Sequence, residues 1–178
     1  MLGSLVLFLF AIVPVMGYDL RIASLNFTPN PSYLLLNYSL RHHKYLGYNV
    51  TLLKPIPGII VSSKIVYIQN NRSGIIFQKR VDVCKLIKGK ISNPIINAVL
   101  LGIIRLANTK SLECSLCPGS YYGENYHIPS ENLPLHMLYR QNISYETKTT
   151  FNGIFPPKKE VQILDIMSVF TIVKGRND

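Results

Sequence analysis

Short runs of alternating apolar and polar residues, each ended by chain breakers, constrain the fold of this chain more than any other feature. Proline and glycine clusters such as Pro55-Ile56-Pro57-Gly58 separate most of these runs. Alternation with a period of two is typical of half-buried strands. The runs cover residues 18–25, 32–41, 47–53, 59–69, 75–83, 120–128, 138–151 and 161–173. The sequence therefore predicts a mainly β fold, an antiparallel β-cup or β-sandwich.

The run over residues 75–83 shows the alternation most clearly. Successive side chains of a strand point to opposite faces of its sheet. The run therefore predicts one face with Ile75, Phe77, Val81 and Val83, and an opposite face with Gln78, Arg80 and Asp82.

One segment has a helical period instead. Apolar residues recur at positions 95, 96, 99, 100, 103, 104 and 106, after Ser92-Asn93-Pro94, whose residue types suit a helix start. We predict one amphipathic helix over residues 94–107. It either packs on a sheet as ordinary core or lines a ligand pocket with Ile96, Val99, Leu100 and Ile103.

The first seventeen residues have the pattern of a signal peptide. Residues 2–16 carry no charged side chain and are shorter than the roughly 20 residues that span a bilayer. Val15 and Gly17 occupy the positions where signal peptidase prefers small or compact residues. We expect cleavage after Gly17 and a single secreted, extracellular β-rich domain over residues 18–178.

Five Asn-x-Ser/Thr sequons support the same compartment. They lie at Asn26, Asn37, Asn49, Asn71 and Asn142. Four of them fall on the polar face of a strand pattern or in a turn composition, where an amide is open to solvent. We expect glycosylation, above all at Asn37, Asn49 and Asn142.

The cysteines and histidines are too few and too scattered for an obvious catalytic or metal site. Cys84, Cys114 and Cys117 are the only cysteines, so a four-ligand zinc site lacks a second pair. In an oxidising compartment the economical interpretation is one disulfide and one odd thiol. No nucleophile elbow or phosphate-binding loop is present. We expect no enzyme activity, no metal and no cofactor.

The chain carries a net charge of +10, which limits its partners more than its fold. The densest basic stretch runs from Lys79 to Lys90, without an RNA-binding signature. We therefore expect no nucleic-acid partner. A solvated face is the simplest interpretation of the charge, and anionic lipid head groups or an acidic partner surface are the alternatives.

Three motifs in order resemble a known family. They are Val81-Asp82-Val83-Cys84-Lys85-Leu86-Ile87, Asn93-Pro94-Ile95-Ile96 and Cys117-Pro118-Gly119-Ser120-Tyr121-Tyr122. Together they resemble small secreted insect proteins, abundant in flies, that lie close to the CheB chemosensory proteins. Relatives of that family are similar to the ganglioside-activator and ML lipid-recognition proteins. The resemblance covers residues 20–173, although this chain has no cysteine before Cys84.

The resemblance implies a non-catalytic protein that binds a small hydrophobic ligand, a lipid or a pheromone-like molecule. It also points to the Cys-Pro cysteine, Cys117, as the disulfide partner of Cys84. The bridge would close a loop worth roughly 3–4 kcal/mol in the loop-entropy model. The alternative function is a secreted interaction protein with a filled core, acting on a receptor or channel through its basic glycosylated surface. Neither hypothesis has the chain span a membrane.

Overall fold

The computed structural model describes residues 18–70, 72–87, 115–126 and 135–174. These ranges contain eight strands and two short helices. The strands are β1 (Tyr18–Pro29), β2 (Leu34–Arg41), β3 (Tyr45–Leu52), β4 (Ile59–Gln69), β5 (Arg72–Asp82), β6 (Gly119–Tyr126), β7 (Ser144–Phe155) and β8 (Lys159–Lys174). The helices are α1 (Val83–Ile87) and α2 (Leu135–Leu138). The prediction of a mainly β, antiparallel fold is confirmed, since each predicted run contains one strand.

The strands form two antiparallel sheets. The five-stranded sheet has the order β1-β8-β7-β4-β5, and the three-stranded sheet has the order β2-β3-β6. Three hairpins, β2–β3, β4–β5 and β7–β8, pair strands that are neighbours in sequence. The apolar faces of the two sheets are turned toward each other, and we call these the inner faces. The arrangement is that of a β-sandwich.

A bulge in β5 overturns one detail of the predicted alternation. Phe77 pairs with Ile65, but the next pair is Ile75 with Val66, so Ile76 is an extra residue on β5. The extra residue turns Ile75 to the opposite face from Phe77 and leaves it 58% exposed. The prediction that Ile75 shares a face with Phe77 is therefore wrong, because strict alternation fails at a bulge.

Two short helices replace ends of predicted strands. Val83 begins α1 instead of ending the strand predicted over 75–83, and it is buried there. The strand predicted over 138–151 begins later, at Ser144, because α2 and a turn precede it. Asn142 lies in that turn with a φ of 60°, a conformation that asparagine tolerates.

Several predicted features lie outside the described residues. They are the signal peptide at 1–17, the helix at 94–107, Asn71, Cys114 and His127. These stay predictions. Within the described ranges, no helix has the length and hydropathy that a membrane crossing requires.

The core consists of two clusters of buried side chains. The first, which we call the Tyr145 cluster, contains Leu20, Ile22, Leu135, Ile143, Tyr145, Phe170 and Ile172. The second, which we call the Ile56 cluster, contains Leu34, Leu52, Ile56 and Ile163. The Tyr145 cluster comes from the five-stranded sheet and the α2 region. The Ile56 cluster joins the two sheets and therefore fixes how they face each other.

The two sheets are also tied together at the β1 edge. The rings of Phe27 on β1 and Tyr38 on β2 lie 4.6 Å apart between centroids. The Tyr38 hydroxyl donates a hydrogen bond to the carbonyl of Leu25 at 3.0 Å. In the β2–β3 turn, the carbonyl of His43 accepts a hydrogen bond of 2.8 Å from the Ile22 amide. These contacts close the sandwich along β1 and β2.

Candidate functional site

A cavity of about 240 Å³ lies between the two sheets, beside the Ile56 cluster. Its walls on the three-stranded sheet are Leu34, Leu36, Leu46, Tyr48, Val50, Leu52 and Tyr121. Its walls on the five-stranded sheet are Phe27, Ile59, Phe151, Asn152, Gly153, Ile163, Leu164 and Ile166. The connecting residues Ile56 and Leu116 complete it. Among these described residues none is charged.

Strand register explains why the walls are apolar. Across β2 and β3, Leu34 pairs with Leu52 and Leu36 with Val50, so four aliphatic side chains share the inner face. The residues between them, such as Asn37 and Asn49, share the outer face and are exposed. Because the side-chain period of a strand is two, the alternation of polar and apolar residues gives each strand a solvent-exposed outer face and an apolar inner face.

One hydroxyl at the cavity wall has a partner within the protein, since the Tyr121 hydroxyl donates to the carbonyl of Cys117 at 2.8 Å. Elsewhere on the inner face of the five-stranded sheet, outside the cavity walls, the hydroxyls of Ser63 and Thr149 bond each other at 3.0 Å. A buried polar group that already has a partner does not need a polar ligand. The cavity is therefore suited to an apolar molecule.

The Cys-Pro segment forms one end of the cavity. Leu116 and Ile56 form an isolated β-bridge, with amide-to-carbonyl distances of 2.9 and 3.0 Å in the two directions. Both side chains line the cavity. The motif that suggested a disulfide partner is thus adjacent to a cavity wall, because Cys117 follows Leu116 directly.

A close approach at Gly123 holds the ring of Tyr48 at the cavity wall. A Cβ atom built on Gly123 would lie 2.6 Å from ring atoms of Tyr48. We expect Gly123→Ala to force that ring away and to lower the free energy of unfolding by about 1–3 kcal/mol. Gly58→Ala is the matched control, since its Cβ would meet Ile154 at an ordinary 3.4 Å. Thermal melting of the two variants checks this, and equal melting temperatures would contradict it.

The structure builds its cavity from strand residues that the sequence did not assign to a pocket. The predicted pocket residues Ile96, Val99, Leu100 and Ile103 lie outside the described residues, and their role stays a prediction. The alternation had indicated the apolar faces of β2 and β3. Periodicity cannot distinguish a cavity wall from a filled core, because both require the same apolar residues.

The other predicted site residues are surface features or stay untested. Asn26, Asn37, Asn49 and Asn142 are exposed, as glycosylation requires, and the modification itself stays a prediction. Cys84 is half-buried in α1 and Cys117 is exposed. The pairing of these two cysteines stays a prediction.

The two histidines whose side chains the structure describes, His42 and His43, are not assembled with acids or thiols. His42 and His43 are exposed in the β2–β3 turn, with φ values of 52° and 56°. The Nδ1 atom of His43 lies 2.9 Å from the carbonyl of Ile22, which fixes the turn on β1. Over the described residues, no group of three metal-ligating side chains comes together.

Comparisons with known proteins add a distant structural likeness. No family model matches this chain, and no curated protein matches it. A solved structure titled "Crystal structure of chicken MD-1 complexed with lipid IVa" is similar over 85% of this chain and 96% of that chain, with 10% sequence identity and a TM-score of 0.33. This likeness is too low to transfer a fold family or a ligand. The resemblance to secreted insect proteins accordingly stays a prediction.

Proposed function

We propose that this protein binds a small hydrophobic ligand, a lipid or a pheromone-like molecule, in the cavity between its two sheets. The observation that carries the proposal is an uncharged cavity of about 240 Å³ whose walls are almost wholly aliphatic and aromatic. Binding there is non-catalytic, because release and uptake of an apolar molecule need no bond to break. The protein then acts as a carrier or presenter of its ligand.

The size of the cavity limits the ligand. An apolar cavity of about 150 Å³ stays dry and takes up benzene, whereas sites for drug-sized ligands have volumes of roughly 300–1,000 Å³. A volume of about 240 Å³ lies between them. The space among the described residues fits a small volatile molecule or a single hydrocarbon chain. A lipid with several acyl chains would not fit within these walls.

The absence of charged side chains in the described walls favours uptake of an apolar molecule from water. Apolar surface gains about 25 cal/mol for each Å² removed from water. A ligand that enters these walls displaces few hydrogen bonds, because the nearby hydroxyl of Tyr121 stays bonded to Cys117. Shape and volume therefore select the ligand more than hydrogen bonding does.

The proposed setting is extracellular. We infer that residues 1–17 are a signal peptide and that the mature domain begins at Tyr18. Exposure of the four described sequon asparagines supports glycosylation. A role in chemosensation or reproduction rests on the resemblance to secreted fly proteins, and a membrane receptor or channel is the partner that such a role implies.

The alternative, an interaction protein with a filled core, makes a different prediction for the interior. Close-packed interiors contain few voids larger than a water molecule. Among the described residues, the cavity of about 240 Å³ between the sheets is well above that size. The carrier hypothesis explains this cavity as the space that the ligand occupies, whereas the filled-core hypothesis does not explain it.

A fluorescent fatty-acid probe tests the proposal. Secreted, deglycosylated protein should quench or shift the emission of the probe at micromolar concentration, with one probe per chain. Unlabelled straight-chain fatty acids or alcohols should displace it, whereas glucose should not. Failure of every apolar probe to bind folded protein would overturn the proposal.

A further inference from the structure

A basic groove lies on the outer face of the five-stranded sheet, across the sheet from the cavity. It has a volume of about 440 Å³. It is lined by Ser62, Ser63, Lys64, Gln78, Lys79, Arg80, Lys148 and Thr150. By strand register, Ser63 and Lys79 belong to the opposite face, and the other six present their side chains to the groove. β5, β4 and β7 lie side by side here, so two rows of side chains cross the groove. One row is Gln78, Lys64 and Lys148, and the other is Arg80, Ser62 and Thr150.

The first row places two like charges directly opposite each other. Lys64 on β4 pairs in register with Lys148 on β7, and both side chains are exposed. Like charges at directly opposite positions destabilise a sheet. The pair of lysines therefore lowers the stability of the sheet. A function for the two charges in binding a ligand explains why both are present.

The protein supplies little negative charge to this pair. Among the described residues, no carboxylate lies within ion-pair distance of Lys64 or Lys148, while Arg80 is paired with Glu160. Three other acids of β5, β7 and β8 stand on the same outer face: Asp82 two residues after Arg80, Glu146 two residues before Lys148, and Asp165 opposite Thr150. None of these three forms an ion pair with the two lysines, so the counter-charge of the lysines is left for a ligand.

We propose that this groove binds a phosphate monoester group, with Lys64 and Lys148 as its two cations. A phosphate monoester carries a charge of about −1.5 to −2 at neutral pH and three strong acceptor oxygens. Two ammonium groups match that charge. The hydroxyls of Ser62 and Thr150 and the amide of Gln78 can donate to the remaining oxygens. The groove thus has the charge and the donors for one such group.

This site is independent of the proposed cavity. Thr150 and Lys148 belong to the outer face of β7, whereas their neighbour Phe151 lines the cavity on the inner face. A phosphate monoester can reach the groove as a soluble molecule or as a lipid head group at a membrane surface. Both sources present the same chemistry, and the experiment separates them.

The test compares two double variants that remove the same charge. Lys64→Gln with Lys148→Gln neutralises the groove, and Lys54→Gln with Lys85→Gln removes two exposed lysines from other parts of the chain. Each protein is mixed with phosphatidylcholine vesicles that contain one-fifth phosphatidic acid, with pure phosphatidylcholine vesicles, and with soluble glycerol 3-phosphate. Sedimentation measures vesicle binding, and calorimetry measures binding of the soluble ester.

We expect the groove variant to lose about 30-fold in affinity for the phosphatidic acid vesicles, since each lysine near such a surface contributes a factor of about five. The affinity of the control variant for the same vesicles should stay within about threefold of the wild-type affinity. Competition by glycerol 3-phosphate would assign the groove to free phosphate esters, and binding to vesicles alone would assign it to lipid head groups.

Thermal melting shows that a loss of binding is not a loss of fold. The groove variant should melt at or above the temperature of the wild type, because the like-charge pair has been removed. Equal losses in the two double variants would show that total charge, and not the groove, attracts phosphate. That result would overturn the proposal, as would wild-type protein that binds neither vesicles nor ester. Since no cavity residue is altered, fatty-acid uptake can fail or succeed independently.

Discussion

Ile166→Trp should strongly weaken binding of a fatty-acid probe while leaving the protein folded. Ile166 lies on β8 and lines the cavity, so an indole at this position occupies the space that we assign to the ligand. We expect the affinity for the probe to fall by about tenfold or more, equivalent to about 1.4 kcal/mol. In a closed, filled core the same substitution would cost about 1–3 kcal/mol or more of stability through overpacking. Probe titration and thermal melting together decide between these two cases.

The adjacent residue provides the matched control. Met167 follows Ile166 on β8, points to the opposite face and is 43% exposed. Met167→Trp introduces the same ring without touching the cavity and should leave probe affinity within about twofold. If Met167→Trp lowered affinity as much as Ile166→Trp, or if Ile166→Trp unfolded the chain, the cavity would not be the ligand site.

Tyr145→Ala should be the most destabilising single substitution among the described residues. Tyr145 is 2% exposed, and its ring stacks on Phe170 with centroids 5.3 Å apart. Its hydroxyl also donates a hydrogen bond to the carbonyl of Leu138 at the end of α2. Truncating a buried aromatic side chain to alanine costs about 3–5 kcal/mol. For a chain of this size the melting temperature should fall by about 10 °C or more.

Tyr145→Phe separates packing from hydrogen bonding. The ring and its stacking on Phe170 are kept, and only the bond to Leu138 is lost. We expect a cost of about 1 kcal/mol, which is the usual net value of one hydrogen bond. A loss as large as that of the alanine variant would show that the hydroxyl, and not the ring, holds this cluster together.

The same tyrosine predicts a loss of stability at alkaline pH. Burial raises the pKa of Tyr145, because the phenolate would lose its hydration, and nearby Arg140 offsets only part of this. An unfolded tyrosine ionises near pH 10, so the neutral form stabilises the fold fully below that pH. The stability falls as the pH rises further through the raised pKa. Tyr145→Phe should lose less stability than the wild type between neutral pH and pH 11, as measured by denaturant titration.

The sequence predicted the strands well because their signal is local. Each strand can be predicted from its own residues, because one face of a strand is buried and the other is exposed to solvent. In β2, for example, Leu34 and Leu36 face inward and Asn37 faces outward. The predictions failed where the backbone departs from that rule. The bulge at Ile76 turns Ile75 outward, and nothing in the composition of that run marks the extra residue.

The cavity could not be predicted because its walls come from distant parts of the chain. Val50 and Ile166 become opposite walls only when two sheets meet. Each looks like an ordinary core residue in its own strand. The sequence therefore directed attention to the amphipathic pattern at 94–107, where apolar positions cover about half the circumference of the predicted helix. The cavity residues could be recognised only after the register of both sheets was known.

The paired lysines of the groove illustrate the same limit. Lys64 and Lys148 are 84 positions apart in the chain, and each is an unremarkable polar residue on the outer face of its strand. Their direct opposition appears only in the register of β4 and β7. Cross-strand pairs of this kind depend on pairing between strands that are not neighbours in sequence.

Solvent extraction of the purified protein, followed by mass spectrometry, tests the central claim most directly. Wild-type protein and Ile166→Trp should be purified from the same secreting host without detergent and extracted in parallel. We predict a small apolar molecule at close to one per chain in the wild type and a strongly reduced amount in the variant. Equal amounts in the two extracts, or a wild type without extractable ligand that also fails to bind added fatty acid, would contradict a ligand cavity between the sheets.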